Sequence, residues 1–239
     1  MNYTGKTMQS FCIKSLSFLL ILSVFVGCKS GQEKEGSGGR ISDVEGNSYM
    51  TVQIGDQLWM AENLKTNTFS DGTPIQKVEE YEEWANLTLP AYCWYNNDSL
   101  ISDDFGALYN CYAIETEKLC PEGWHVPSDE DWIKLETALG GAGSAGGAMK
   151  EPGTAYWKTP NTQASNESGF TARPGGYRSY NGTFNLMRID GFWWSTSEKS
   201  WYGSSNTVIY RNLKYDGQDL FRDVAVRANG FSVRCVKNP

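Results

Sequence analysis

Leu119-Cys120-Pro121-Glu122-Gly123-Trp124-His125-Val126-Pro127-Ser128-Asp129-Glu130-Asp131-Trp132 is the stretch on which the reading of the whole chain turns. It gathers a cysteine, two prolines, two tryptophans and the only histidine of the sequence. Pro127 keeps the approach extended. Ser128 with Asp131 makes a capping-box pair, and three consecutive acids suit the positive end of a helix. Trp132, Leu135 and Leu139 then recur at helical spacing, and Gly140-Gly141 stops the run. The pattern predicts a helix over 129–139 with one apolar face on the core. The same stretch is expected to cross the domain and be tied to Cys235 near the C-terminus.

On either side the signals are those of short strands. Ile41 to Leu64 reads as a hairpin, with turns at Gly46-Asn47 and Gly55-Asp56. Tyr81 to Asn86 predicts a short helix, and Pro90 to Tyr95 an aromatic strand. Phe105 to Ile114 reads as a strand or short helix. The Gly/Ala-rich run from Ala142 to Lys150 reads as a loop, and Glu151 to Ser168 as a series of turns. Strands are expected at 169–172, 176–178, 191–195, 208–213 and 230–236. Alternation in 208–213 and 231–236 points to half-buried antiparallel strands.

The N-terminus carries other signals. Lys6 and Lys14 precede an apolar stretch from Ser15 to Val26, short for a bilayer span and suited to a signal peptide. Phe25-Val26-Gly27-Cys28 resembles a bacterial lipobox. Residues 1–27 are therefore expected to be a lipoprotein signal peptide, with Cys28 the acylated first residue of the mature chain. Residues 28–40 have nothing to bury and read as a flexible tether. Residues 41–239 form one domain, long enough for a real core.

Nine tryptophans, thirteen tyrosines and twenty-five glycines favour strands, turns and aromatic packing over a helical bundle. A net charge of −7 with no basic stripe excludes a nucleic acid as partner. Cys12 leaves with the signal and Cys28 is lipidated, so Cys93, Cys111, Cys120 and Cys235 remain. An even set in an exported protein predicts two disulfides, with three pairings open. The favoured one is Cys120–Cys235, with Cys93–Cys111 as the second bridge. There is no Cys-x-x-Cys pair and one histidine, which argues against zinc.

Several motifs follow one another in a known order. They include Trp59-Met60-Ala61-Glu62-Asn63-Leu64, Tyr92-Cys93-Trp94-Tyr95, Gly106-Ala107-Leu108-Tyr109-Asn110 and Leu119-Cys120-Pro121 with Gly123-Trp124-His125-Val126-Pro127. Asn166-Glu167-Ser168-Gly169-Phe170, Pro174-Gly175-Gly176-Tyr177-Arg178 and Gly230-Phe231-Ser232-Val233-Arg234-Cys235-Val236 continue the series. From about Ser48 onward the chain resembles the Fibrobacter succinogenes major paralogous domain. That resemblance implies a lipoprotein or surface protein of Bacteroidetes or Fibrobacteres, and gives no activity. Cys111 stands where the family usually has Trp, so the second bridge is particular to this chain or Cys111 is free. More distantly, Gly123 to Trp132 and the closing 230–235 stretch look like the C-type-lectin-like fold of formylglycine-generating-enzyme relatives. The fold class so implied is α+β: a small twisted antiparallel sheet, one or two helices, and long loops between Ala142 and Thr207.

No catalytic set emerges. His125 lies between Trp124 and Val126 as a packing residue, and no nucleophile pairs with it. The acids 129–131 are explained by capping, and the cysteine pair that formylglycine chemistry needs is absent from the C-terminal half. No cofactor is expected, with calcium the one possibility: Asn97, Asp98, Asp103 and Asp104, with Asn96, form an oxygen-rich loop of suitable ligand types, but the spacing is not that of an EF-hand and these are ordinary turn residues. Trp157, Tyr177, Tyr180, Trp193, Trp201 and Tyr202 lie in the loop-rich half and form a candidate stacking platform for a glycan, peptide or protein surface. Trp193 and Trp194 alternate, so at most one is expected to face inward. The expectation is a non-catalytic binding or structural module. It would be anchored by lipid to the outer membrane, at the cell surface or the periplasmic face. An accessory subunit of an outer-membrane assembly and a formylglycine-generating-enzyme-like enzyme are the alternatives.

Overall fold

A computed structural model describes residues 37–199 and 207–239. Cys28, most of the proposed tether, Trp201 and Tyr202 lie outside the described residues.

The chain opens with β1 (Ser37–Ser42), β2 (Ser48–Ile54) and β3 (Gln57–Met60). β2 and β3 meet at the Gly55-Asp56 turn, where Gly55 takes a positive φ of 60°. Next come β4 (Gln76–Lys77), α1 (Tyr81–Asn86), β5 (Ala91–Cys93), α2 (Ser102–Phe105), β6 (Leu108–Tyr109), α3 (Cys111–Ile114) and β7 (Trp124–His125). Helices α4 (Asp129–Ala138) and α5 (Ala142–Met149) follow. The C-terminal part holds β8 (Tyr177–Arg178), β9 (Phe184–Asn185), β10 (Asp190–Glu198), β11 (Thr207–Lys214), β12 (Phe221–Val226) and β13 (Val236–Lys237). The fold is α+β with mostly antiparallel sheets. A five-stranded sheet runs in the order β1-β2-β3-β13-β7, so the end of the chain lies between the first hairpin and the 119–132 stretch. A second sheet is β10-β11-β12.

α4 forms where the sequence places it. Ser128 Oγ accepts from the Asp131 N–H at 3.2 Å and Asp131 Oδ2 accepts from the Ser128 N–H at 2.9 Å, a complete capping box. Trp132 and Leu135 are its buried face. The bridge between Cys120 and Cys235 is formed, with Cα atoms 6.0 Å apart.

Several expectations are overturned. The strand expected at 230–236 is reduced to single bridges at Gly230, Phe231 and Ser232, with β13 starting only at Val236, and the last residues of the expected tether, 37–40, belong to β1. The loop expected at Ala142–Lys150 is helix α5. Its glycines work against helicity, but they let it lie against backbone: a Cβ at Gly146 would come within 2.6 Å of the Gln218 carbonyl oxygen, and one at Gly147 within 2.8 Å of that of Gln163. Tertiary packing here outweighs intrinsic propensity. Stretch 169–172 is not a strand; only Ala172 makes a bridge, to Lys150. Trp193 and Trp194 do point to opposite faces of β10, yet both are fully buried, because both faces are covered. Trp194 packs with Phe231 and Val233, and Trp193 with Trp59, Trp132 and Phe170.

A last correction concerns the second bridge. Cys93 and Cys111 are free, buried thiols in separate apolar clusters. Cys93 packs with Val78, Trp84 and Leu108, while Cys111 begins α3 and faces Glu115, 3.7 Å from its Oε1. Burial pushes the Cys93 thiol up to about 12 and raises that of Cys111 as well.

Candidate binding clefts around His125

β7 pairs with β13 through Val236–His125 and Lys237–Trp124, directly after the bridged cysteines. This pairing fixes the His125 ring between α4 and the C-terminus. Nε2 lies 3.2 Å from Asp131 Oδ2 and Nδ1 lies 2.7 Å from Asn238 Oδ1. Both ring nitrogens are thus engaged with side chains of the chain itself. Burial raises the Asp131 carboxyl, but the Ser128 hydroxyl and amide and the His125 ring prevail, and the net shift is downward.

An open cleft of about 590 Å³ lies beside the ring, walled by Gln53, Gln57, Lys134, Lys237 and Asn238. A recess of about 370 Å³ shares His125 and Asn238 with it and adds Trp124, Val126, Leu119 and Thr196. Thr196 is placed by a bulge in β10, whose register to β11 shifts between Trp194 and Glu198. In the bulge the Thr196 N–H donates to the Pro127 carbonyl at 2.9 Å, and Ser197 Oγ accepts from the Asp129 N–H at 2.9 Å. Asp129 in turn takes Arg211 at 2.9 Å and Arg222 at 2.7 Å. The Arg222 hydrogen bond above all, with Arg211 behind it, holds the Asp129 carboxyl below its ordinary range against burial.

The oxygen-rich loop does not converge. Asp103 pairs with Lys65 at 2.5 Å and Asp104 with Arg173 at 3.0 Å. Asp98 accepts from the Leu100 N–H at 2.9 Å, and the Asn97 amide donates to the Glu79 carbonyl at 3.1 Å. Among the described residues no group of three or more His, Cys, Asp or Glu is arranged to hold a metal ion. The Asp98, Asp103 and Asp104 oxygens serve a turn and two ion pairs, while Asn97 Oδ1 is buried with no hydrogen-bond partner.

Four of the six expected platform residues are described, and those four do not form one surface. Trp157 and Trp193 are core residues, donating their indole N–H to the Ala172 carbonyl and to Asn63 Oδ1, each at 2.9 Å. Tyr177 is half-buried against Phe192 and Phe231. Tyr180, at 59% exposure, is the one platform residue among those described that faces solvent. The reason is general: large aromatics fill whichever cavity the loops leave, and residue type alone does not say which side is wet.

Sequence reasoning did not find the groups that organise the loops, which are buried cations. Lys150 Nζ donates to the carbonyls of Thr162, Lys214 and Gly217 at 2.8, 3.1 and 2.7 Å. Arg234 bonds Asn63 Oδ1 and the carbonyls of Met60, Phe170 and Thr171. Arg178 bonds the carbonyls of Val78, Glu79, Glu80 and Gly182, with the Trp84 ring 4.4 Å from its guanidinium carbon. All three are buried to 1% exposure or less. The one hint in the sequence is a basic residue inside each apolar strand pattern, at Tyr177-Arg178 and Val233-Arg234-Cys235.

No curated protein and no solved structure matches the chain significantly. The model of the Fibrobacter succinogenes major domain matches residues 52–237, from the second strand to the last, and the chain belongs to that family.

Proposed function

We propose that this protein is a non-catalytic binding or structural module of C-type-lectin-like form, held by a lipidated Cys28 at the outer membrane. One observation carries the non-catalytic reading: the only imidazole has both nitrogens committed, to Asp131 and Asn238. The two free thiols are buried, and burial raises both, which supports the same reading by disfavouring a thiolate nucleophile. The clefts on either side of His125 offer amides, charged side chains and a tryptophan edge, the mixture that orients a ligand. The lectin-like form is supported by the sheet in which β13 joins the first hairpin, with a loop-rich stretch leading from α5 to β10.

The anchor is tested by palmitate labelling of the wild type and Cys28→Ala; equal labelling would remove it. The binding reading is tested on glycan and peptide arrays, where a ligand whose signal drops with Gln57→Ala or Asn238→Ala is expected. Silence on both arrays, with a monomer on sizing and no partner in a membrane pull-down, would sink it.

A further inference from the structure

The 370 Å³ recess continues into a smaller one of about 180 Å³, the two sharing Ile114, Glu117 and Thr196. Together they make a trough longer than one side chain. Its floor is apolar: Ile114, Leu119, Val126 and Val208 are all buried. Its rim is acidic, with Glu115, Glu117 and Glu198 around the smaller recess and, among the described residues, no Lys or Arg lining either part. Arg227 lies beneath, pairing with Glu115 at 2.6 Å and with Glu198. Its side chain is 13% exposed, while those two glutamates are 42% and 63% exposed. Two of the three carboxylates, Glu115 and Glu198, thus share one cation, and the exposed Glu117 adds negative charge at the opening. Lys118, next to Glu117 in the chain, is turned away to Asp71 at 2.8 Å.

We propose that this trough docks an extended basic peptide segment of a partner protein. The smaller recess takes one lysine or arginine. The aliphatic stem of such a side chain lies on Ile114 and Val208, and its charged head reaches Glu117 and Glu198. The half-buried Trp124 in the larger recess offers a ring face to the next cationic or apolar side chain. An acidic lip over an apolar floor discriminates against anionic and purely apolar segments alike, since each would leave one half of the trough unmatched. The proposal rests on the binding-module reading and names the ligand class.

The test is anisotropy of a fluorescent peptide alternating lysine and glycine, titrated with the full chain in detergent. Saturable binding is expected, weakening with added salt. Glu117→Gln with Glu198→Gln should weaken it about tenfold. Glu117→Gln alone, which leaves the Arg227 pairs intact, should account for part of that loss, and Thr196→Trp should block the trough. The proposal is overturned if the lysine peptide fails to saturate, or if its norleucine counterpart binds as well. Equal binding by the double variant overturns it too, as does a free polyamine displacing the peptide at equal concentration. An array ligand that binds the double variant normally would sink the trough while leaving the binding module standing. Failure of every ligand would sink both.

Discussion

In the five-stranded sheet the backbone is satisfied strand to strand, whereas between residues 150 and 190 scattered backbone bonds are supplemented by side-chain donors. β2 and β3 pair over four residue pairs, and the Met60 and Leu64 N–H groups reach the Cys235 and Val233 carbonyls at 3.0 and 2.9 Å. The loop half has short β8 and β9 as its only strands before β10. Its carbonyls are collected by Lys150, Arg234 and Arg178, and by the Asn161 amide, which donates to Glu151 and Gly153 at 2.9 and 2.7 Å. A buried carbonyl must find a donor. Where no ladder exists, a side chain with three to five donors does the work of several strand partners. The comparison teaches that buried charge in this protein is a substitute for secondary structure.

The largest test concerns the sheet half. Cys120→Ser with Cys235→Ser opens a loop with a sequence separation of 115. It should lower unfolding free energy by about 4–5 kcal/mol in the chain-entropy account. Denaturant melts measure this, and hydrogen exchange should accelerate first in β7, β13 and α4. A thiol titration of the unfolded, unreduced chain carrying Cys12→Ser and Cys28→Ser should find two thiols, those of Cys93 and Cys111. Finding none would restore the second bridge.

Arg234→Met comes next, because it strips donors from Asn63 and three carbonyls. Orphaned buried acceptors and a broken charge network cost about 3–4 kcal/mol. Exchange should rise at 169–173 more than in α4; uniform loosening would erase the distinction between the halves. Lys150→Met should cost about 2–3 kcal/mol, with the change centred on 159–163 and 214–218. Burial lowers the Lys150 ammonium to about 8, while three carbonyls matching its three N–H groups favour the charged form. If Lys150→Met were as stable as the wild type, the carbonyl cage would carry no weight.

The smallest effect is acid-side. Asp129, held low by Arg222 and Arg211, has a folded value below its unfolded value of 3.8. The unfolded chain binds the proton first, so this contribution is complete above about pH 4 and fades as pH falls through the folded value. Asp129→Asn should therefore flatten the stability curve below pH 4. An unchanged slope there would mean the Arg211–Asp129–Arg222 cluster does not bias folding.

The capping pair, helix α4 and the first hairpin were legible because each is a local pattern, whereas the link from Cys120 to Cys235 was the favoured one of three pairings the sequence left open. What was not legible depends on what lies opposite. Nothing in Trp193-Trp194 says that β10 is covered on both faces. Nothing in Cys93 and Cys111 says that they belong to different apolar clusters. The His125 clefts are half legible: the ring's place beside Trp124 is local, but Asn238 reaches it only through the β7–β13 pairing.

Helix α5 carries a further consequence. Local preference and global fit pull against one another along its length. At Gly143 an added methyl group would meet nothing closer than 3.8 Å, so Gly143→Ala should raise helix propensity by about 0.5–1 kcal/mol at no steric cost. The same change at Gly146 or Gly147 drives a methyl group into a neighbouring carbonyl. A redesign that made α5 a better helix throughout would therefore make a worse protein. Natural variation in this segment should be free at its first turn and closed at its second.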